Sequence, residues 1–177
     1  MSRQTRNAMA DHVETRRDQW RKELPDVDTI GMAILGRARL ATMIARGPIE
    51  RVFAQHRLDT GEFDVLTSLL RSGAPYRLRP TELYKSLMIS SGGLTSRLNR
   101  LESAGLVKRC PSESDARSLL VELTPKGQSV AEQAFREDMA LEAQLIAGLS
   151  DEERRQLAEL LARLVAVVGE RSGSKAA

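Results

Sequence analysis

The segment Ser90-Ser91-Gly92-Gly93-Leu94-Thr95-Ser96-Arg97-Leu98-Asn99-Arg100-Leu101 is the part of this sequence best furnished for chemistry. Leu94, Leu98 and Leu101 recur at i, i+4 and i+7, one face of a helix. Thr95, Ser96, Asn99 and Arg100 therefore project hydroxyl, amide and guanidinium groups from the opposite face, where they suit base edges and phosphates of duplex DNA. Ahead of the helix, the small residues Ser90, Ser91 and Gly92 let its N-terminus come close to a phosphate or a groove wall, and its free N–H groups favour an anion. Further on, Arg117 ends the polar loop Pro111–Arg117 and has the reach to enter a minor groove, where narrow A·T-rich stretches concentrate negative potential.

Other chemistries have less to draw on. The sequence holds no Ser/His/Asp set, no P-loop, no GxGxxG and no metal-ligand spacing, so neither an enzyme, a cofactor nor a metal is expected. His12 and His56 lie apart on helices and read as solvated. Cys110 is the single cysteine; it makes no internal disulfide, and one Cys with two His gives no structural zinc set. The neighbouring Lys108-Arg109 could depress its pKa and make it a thiol switch; the other reading is a small strand residue facing the core. A reducing cytoplasm is the expected compartment. Met1 to Asp11 lacks an apolar export segment, and the longest apolar stretch, Ile30 to Ala45, is interrupted by Arg37 and Arg39, which excludes a membrane span.

The elements that must position these groups are mostly helices. In 177 residues, 41% hydrophobic and 29% charged content with only 3% aromatics suits one helical domain with a sizeable core and excludes a disordered chain. The spacing predicts a helix over about Asn7–Glu23 carrying Trp20, and a long one over about Asp28–Arg57 kinked near Gly47-Pro48. Asp59-Thr60-Gly61-Glu62 starts a third helix, before Phe63, Leu66, Leu69 and Leu70, that Ser72-Gly73 ends. Two short helices follow, Thr81 to Leu87 after Pro80, and the Leu94 helix to about Ala104 with Gly105 as a left-handed cap. Leu106–Cys110 and Leu119–Leu123 read as a β-hairpin. Thr124-Pro125 restarts a helix to about Ala147, and Ser150-Asp151-Glu152-Glu153 opens a last one with an apolar stripe from Leu157 to Val168. That stripe fits either intramolecular core or a subunit interface. Between Arg71 and Lys126 stand ten Lys/Arg against five Asp/Glu, while Met1–Leu70 holds eleven against ten and the remainder six against nine. The basic footprint thus falls in the middle third of the chain, as in a nucleic-acid-binding module flanked by helices with another job.

In order along the chain, Arg79-Pro80-Thr81-Glu82-Leu83, Ser90 through Leu98, Leu101-Glu102-Ser103-Ala104-Gly105-Leu106-Val107, Asp115-Ala116-Arg117-Ser118 and Leu123-Thr124-Pro125-Lys126-Gly127 resemble the multiple antibiotic resistance regulator (MarR) family. The motifs cover about half the chain. The wing departs from the family's Asp-Arg-Arg-Ser pattern at Ala116, which lacks the charge for an auxiliary phosphate contact. The resemblance implies a mainly α fold with a small β-hairpin wing: a winged helix-turn-helix over 60–124 bracketed by dimerisation helices at 25–58 and 125–170. An appendage helix at 1–24 and a frayed tail at 171–177 complete a single domain. Double-stranded DNA and a second copy of the chain are the implied partners.

The Trp20 helix is extra to the minimal family pattern and resembles the PecS-like, urate-responsive branch. Four positions are associated there with ligand response, and Trp20, Asp64, Arg97 and Arg109 match them. The chemistry is coherent. Urate is a flat anion; Trp20 offers an aromatic wall and an N–H, and Arg97 a planar cationic fork. Asp64, between Phe63 and Val65, is expected part-buried, and an incoming anion would repel it. The resemblance implies that Asp64 then pairs with Arg109 and pulls the DNA-reading elements off register. In the competing reading, Trp20 only anchors its helix and Asp64–Arg109 is a static pair. The expected function is a dimeric repressor released from a pseudo-palindromic operator by urate or a related purine; the alternative trigger is a phenolic ligand or oxidation of Cys110.

Overall fold

A computed structural model of the chain describes residues 12–87, 93–111 and 119–173, with side chains as far as Glu170. The elements are α1 (His12–Glu23), α2 (Ile30–Gln55), α3 (Thr60–Arg71), β1 (Arg77–Leu78), α4 (Pro80–Ser86), α5 (Leu94–Ser103), β2 (Val107–Pro111), β3 (Leu119–Leu123), α6 (Pro125–Leu145) and α7 (Asp151–Gly173). The chain divides into two compact units after Arg51. Among the described residues no helix is long and apolar enough to cross a membrane.

In the first unit α1 packs on α2 through Val13, which is buried. Gly36 makes the approach possible, since a Cβ there would meet Val13 Cγ1 at 3.3 Å. Glu14 ties the helices electrostatically, accepting from Arg17 Nη1 at 2.8 Å and from Arg37 Nη2 at 2.9 Å. The α2 helix continues through Gly47-Pro48 as one element of 26 residues.

The second unit is built on α3. Its N-cap is the capping box expected from Asp59 and Glu62, and its apolar side carries Val65, Leu66 and Leu69, all fully buried. Each such side chain contributes about 1.5–3 kcal/mol on leaving water. Phe63 stacks on Phe53 with ring centroids 3.9 Å apart. Leu83 of α4, Leu98 and Leu101 of α5, Val121 and Leu123 of β3, and the small Ala131 and Ala134 of α6 complete this core.

The expected hairpin is present, β2 pairing antiparallel with β3 from Val107↔Leu123 to Pro111↔Leu119. A third strand joins it: β1 pairs with β3 through Arg77↔Glu122 and Leu78↔Val121, giving the order β1-β3-β2. Two residues carry no alternation, so pattern alone did not find it. The loop at 112–118 lies outside the described residues.

The junction of α5, β2 and α6 explains the Leu123-Thr124-Pro125-Lys126-Gly127 motif. Gly105, at φ +70°, ends α5, with Leu106 N–H donating to Leu101 O and Gly105 N–H to Glu102 O, each at 2.9 Å. This Schellman closure turns the chain directly into β2. Thr124 Oγ1 donates to Gly105 O at 2.8 Å and accepts from Gly127 N at 3.0 Å, and Lys126 Nζ donates to Ala104 O at 2.8 Å. A Cβ at Gly127 would collide with the backbone of Leu106. Only glycine lets α6 begin here.

Asp138 of α6 is 4% exposed, and its Oδ1 has no hydrogen-bond partner among the described residues. Burial, with Glu142 one turn on, pushes its carboxyl up to about 6. The folded state therefore favours the protonated form. Its contribution is fully present below about pH 4 and is lost as pH rises through 6. Asp138→Asn removes the ionisation and should raise stability at pH 8 by on the order of 1–2 kcal/mol, with the gain shrinking toward pH 4. Thermal melts of both proteins across this range check it; a difference independent of pH would refute the assignment.

Candidate nucleic-acid interface

Gly93, at φ +80°, starts α5 in a left-handed conformation suited to glycine. The leucine stripe faces inward, Leu98 and Leu101 being buried, while Thr95, Ser96 and Asn99 are on the other side. An open groove beside the start of α5 is lined by Thr81, Tyr84 and Lys85 of α4 together with Gly93, Leu94 and Thr95. Tyr84 and Lys85 were not singled out in the sequence; their signal was a hydroxyl and an ammonium on the exposed side of the short helix preceding α5. Ser90, Ser91, Gly92 and Arg117 lie outside the described residues.

Arg100 was expected on the DNA-facing side, and the structure turns its guanidinium onto the first turn of α3. Nε donates to Glu62 Oε1 at 2.6 Å, Nη2 to Asp59 Oδ2 at 2.8 Å and Nη1 to Ser96 Oγ at 3.2 Å. The two carboxylates hold the guanidinium more firmly protonated than usual, Glu62 contributing most. Arg97 meets the same turn. Its Nε, Cζ and Cδ occupy the space a Cβ would take at Gly61. One helical turn along from Gly61, Asp64 is buried at 6% exposure.

Arg109, on β2, gives its Nη2 to Asn99 Oδ1 at 2.6 Å and its Nη1 to Glu102 at 3.0 Å. Both partners belong to α5, so the guanidinium ties α5 to β2 instead of pairing with Asp64. Trp20 sits in the first unit, 47% exposed, and lines an open cavity with Leu24, Val27 and Met32. Within its own unit it is an accessible aromatic face, not a buried anchor.

Two expectations are corrected by their surroundings. Burial pushes the Cys110 thiol up, and its contact with Glu122 at 3.5 Å adds to the effect. Lys108, which was to favour the thiolate, is bound to Glu122 at 2.8 Å, and its pull on the thiol is outweighed by burial and that acid. His56 is not solvated: it lies just past α2, and its Nε2 is 2.8 Å from Glu137 Oε2 with the side chain 11% exposed. His56 in turn holds the Glu137 carboxyl below its ordinary range. Among the described residues no group of three His, Cys, Asp or Glu side chains could hold a metal ion.

The Arg97 placement has a direct test. Gly61→Ala should force Arg97 off the α3 turn without breaking the fold, because the obstructing atoms belong to a flexible side chain and alanine favours a helix. Arg97→Ala should then recover stability in the Gly61→Ala background. Chemical denaturation of the two single variants and the double one measures this coupling; strictly additive effects would mean that Arg97 does not lie on Gly61.

Comparison with known proteins agrees with this geometry. Residues 58–118 match the MarR family model. Over 146 residues the chain is 37% identical to the HTH-type transcriptional regulator PecS of Dickeya dadantii, covering 82% of this chain and 88% of that protein. It is 35% identical over 105 residues to the multiple antibiotic resistance protein MarR of Salmonella typhimurium, covering 59% and 71% of the two chains. Among solved structures, a cysteine-to-serine mutant of MarR from E. coli complexed with operator DNA superposes with a TM-score of 0.64 at 27% identity, covering 82% of this chain and 97% of that one. AbsC, a MarR family transcriptional regulator from Streptomyces coelicolor, superposes with a TM-score of 0.68 at 25% identity, covering 83% and 97%. The fold is thus a winged helix-turn-helix, mainly helical with a small sheet, and the chain belongs to the MarR family of DNA-binding transcriptional regulators.

Proposed function

We propose that this regulator is a homodimeric repressor, with no catalytic step, that leaves a pseudo-palindromic operator when urate or a related purine binds. The observation that carries the effector reading is the first turn of α3. There a cationic fork, Arg97, lies across Gly61, and Asp64, one helical turn along, is buried. An anion drawn to Arg97 would repel the Asp64 carboxylate. The resemblance to the urate-responsive branch, rather than geometry, adds Trp20 as the aromatic wall and N–H. The displaced Asp64 charge would then compete for Arg109, which must give up Glu102 and Asn99 to answer it. Both of those are on α5, so the exchange would loosen the recognition helix where it meets the wing. This is coupling through a defined charge pair. DNA contacts are proposed for Thr95, Ser96 and Asn99 of α5, for Ser90, Ser91 and Gly92 ahead of it, and for Arg117 of the wing.

The dimer reading rests on α7. Leu157, Leu160, Leu161, Val165, Val167 and Val168 are all exposed. A helix of 23 residues that buries so little of its own stripe needs a partner surface to be stable. Replacing Leu160 and Leu164 together by Asp should therefore yield monomer or unfolded protein. A double variant that remains a soluble dimer in analytical ultracentrifugation would place the interface elsewhere.

Urate should quench the fluorescence of Trp20, the single tryptophan, in a saturable manner. It should also weaken operator binding by roughly 5- to 150-fold, as coupling free energies of about 1–3 kcal/mol allow. Trp20→Phe keeps the wall and loses the N–H, so ligand affinity should fall while ligand-free DNA binding holds. Asp64→Asn should blunt the response. Saturable quenching with unchanged operator affinity would leave a ligand site but no switch, and a response to phenolic compounds alone would replace the purine.

A further inference from the structure

We propose that Arg100 acts as a positioning residue, locking the recognition helix to the N-terminal turn of α3, and that it contacts neither phosphate nor base. The carboxylates that hold it are fixed by an independent task. Asp59 Oδ1 accepts from Glu62 N at 2.7 Å, and Glu62 Oε2 accepts from Asp59 N at 2.9 Å, closing the capping box. Each side chain thereby spends one oxygen on α3 and presents the other, Asp59 Oδ2 and Glu62 Oε1, to Arg100. The guanidinium fork meets two acceptors already held in place, so little conformational freedom is lost in forming the pair. Its remaining nitrogen reaches Ser96 Oγ, one turn back on α5.

This arrangement decides between two roles. Glu62 is 8% exposed, and withdrawing Arg100 to a phosphate would leave its buried carboxylate uncompensated beside Asp59. The helix on which the latch closes is the rigid one, since Val65, Leu66 and Leu69 of α3 are fully buried. Leu98 and Leu101 fix how deeply α5 sits. Arg100, between them in sequence, fixes how α5 is rolled about its axis, and hence where Thr95, Ser96 and Asn99 point.

The experiment uses the full-length protein, a duplex it selects from random-sequence DNA, and a scrambled duplex, each titrated over a range of salt. A phosphate contact contributes about 0.9 to the slope of log affinity against log salt. For Arg100→Gln the expected result is a drop of roughly tenfold in the ratio of selected to scrambled affinity with the salt slope unchanged. Glu62→Gln keeps the capping box, because its amide oxygen still accepts from Asp59 N. It should lose discrimination in the same way, and Glu62→Gln/Arg100→Gln should be no worse than Arg100→Gln alone. Three outcomes overturn the proposal: a slope shallower by about 0.9 with both duplexes weakened equally, tighter DNA binding by Glu62→Gln as a freed guanidinium reaches phosphate, or additive losses in the double variant. Circular dichroism melts confirm that the variants compared are folded.

Discussion

The interaction on which the seating of α5 against α3 depends is the division of labour between the oxygens of Asp59 and Glu62. One oxygen of each closes the cap of α3, and the other holds Arg100 of α5. Cap and latch are therefore one network, and truncating either side chain would remove a cap hydrogen bond of α3 and a hold on α5 together. Gly61 belongs to the same constraint. It lies between the two acids and leaves room for Arg97 to cross, so both arginines of α5 nearest α3 converge on one helical turn. A turn that joins a rigid helix to a reading helix is also the place where a small electrostatic change has the longest lever.

The opposite end of α5 is held by different physics. There backbone geometry rules: a left-handed Gly105, the carbonyls of Gly105 and Leu106 taken by Thr124, and the bare Cα of Gly127 against Leu106. No carboxylate takes part in these contacts. The C-terminal end of α5 is thus held by backbone geometry and neutral carbonyl acceptors, whereas its middle is held by ion pairs. Between these stands Arg109, which reaches back from β2 to Asn99 and Glu102 and so ties the wing to the helix side by side.

What the sequence made legible follows from locality. The caps at Asp59, Thr124 and Gly105 each depend on residues within a few positions of one another, and their hydrogen bonds are those the residue types imply. The leucine stripe of α5 likewise reports its own burial. The strand β1 is too short for a pattern and exists because β3 offers it an edge at Glu122 and Val121. The partners of Arg100 were hidden for another reason: Glu62 lies 38 positions away, and a guanidinium on a polar helix face carries no sign of whether it will meet solvent, phosphate or a carboxylate. Cys110 and His56 went the same way. Lys108 beside Cys110 in sequence suggested an activated thiol, but burial, together with the Glu122 that the strand pairing delivers to both of them, pushes the thiol the other way.

That contrast bears on how charge serves this fold. Ten basic residues in the winged part suggested a broad cationic footprint, yet Arg100, Lys108 and Arg109 are each bound to acids of the same unit. Attraction to DNA must therefore come from fewer charges than the count implies, and the paired ones do different work. A pair can be exchanged without creating an isolated buried charge, so moving Arg109 from Glu102 to another acid changes the free energy by the difference between two similar interactions, not by the whole of one. Such differences are of the size of typical coupling free energies, about 1–3 kcal/mol, whereas stripping a buried charge of its partner costs about 3–5 kcal/mol. A switch that must be reversible at modest ligand concentration is better built from the first kind of step, and the exchange proposed for Arg109 is of that kind.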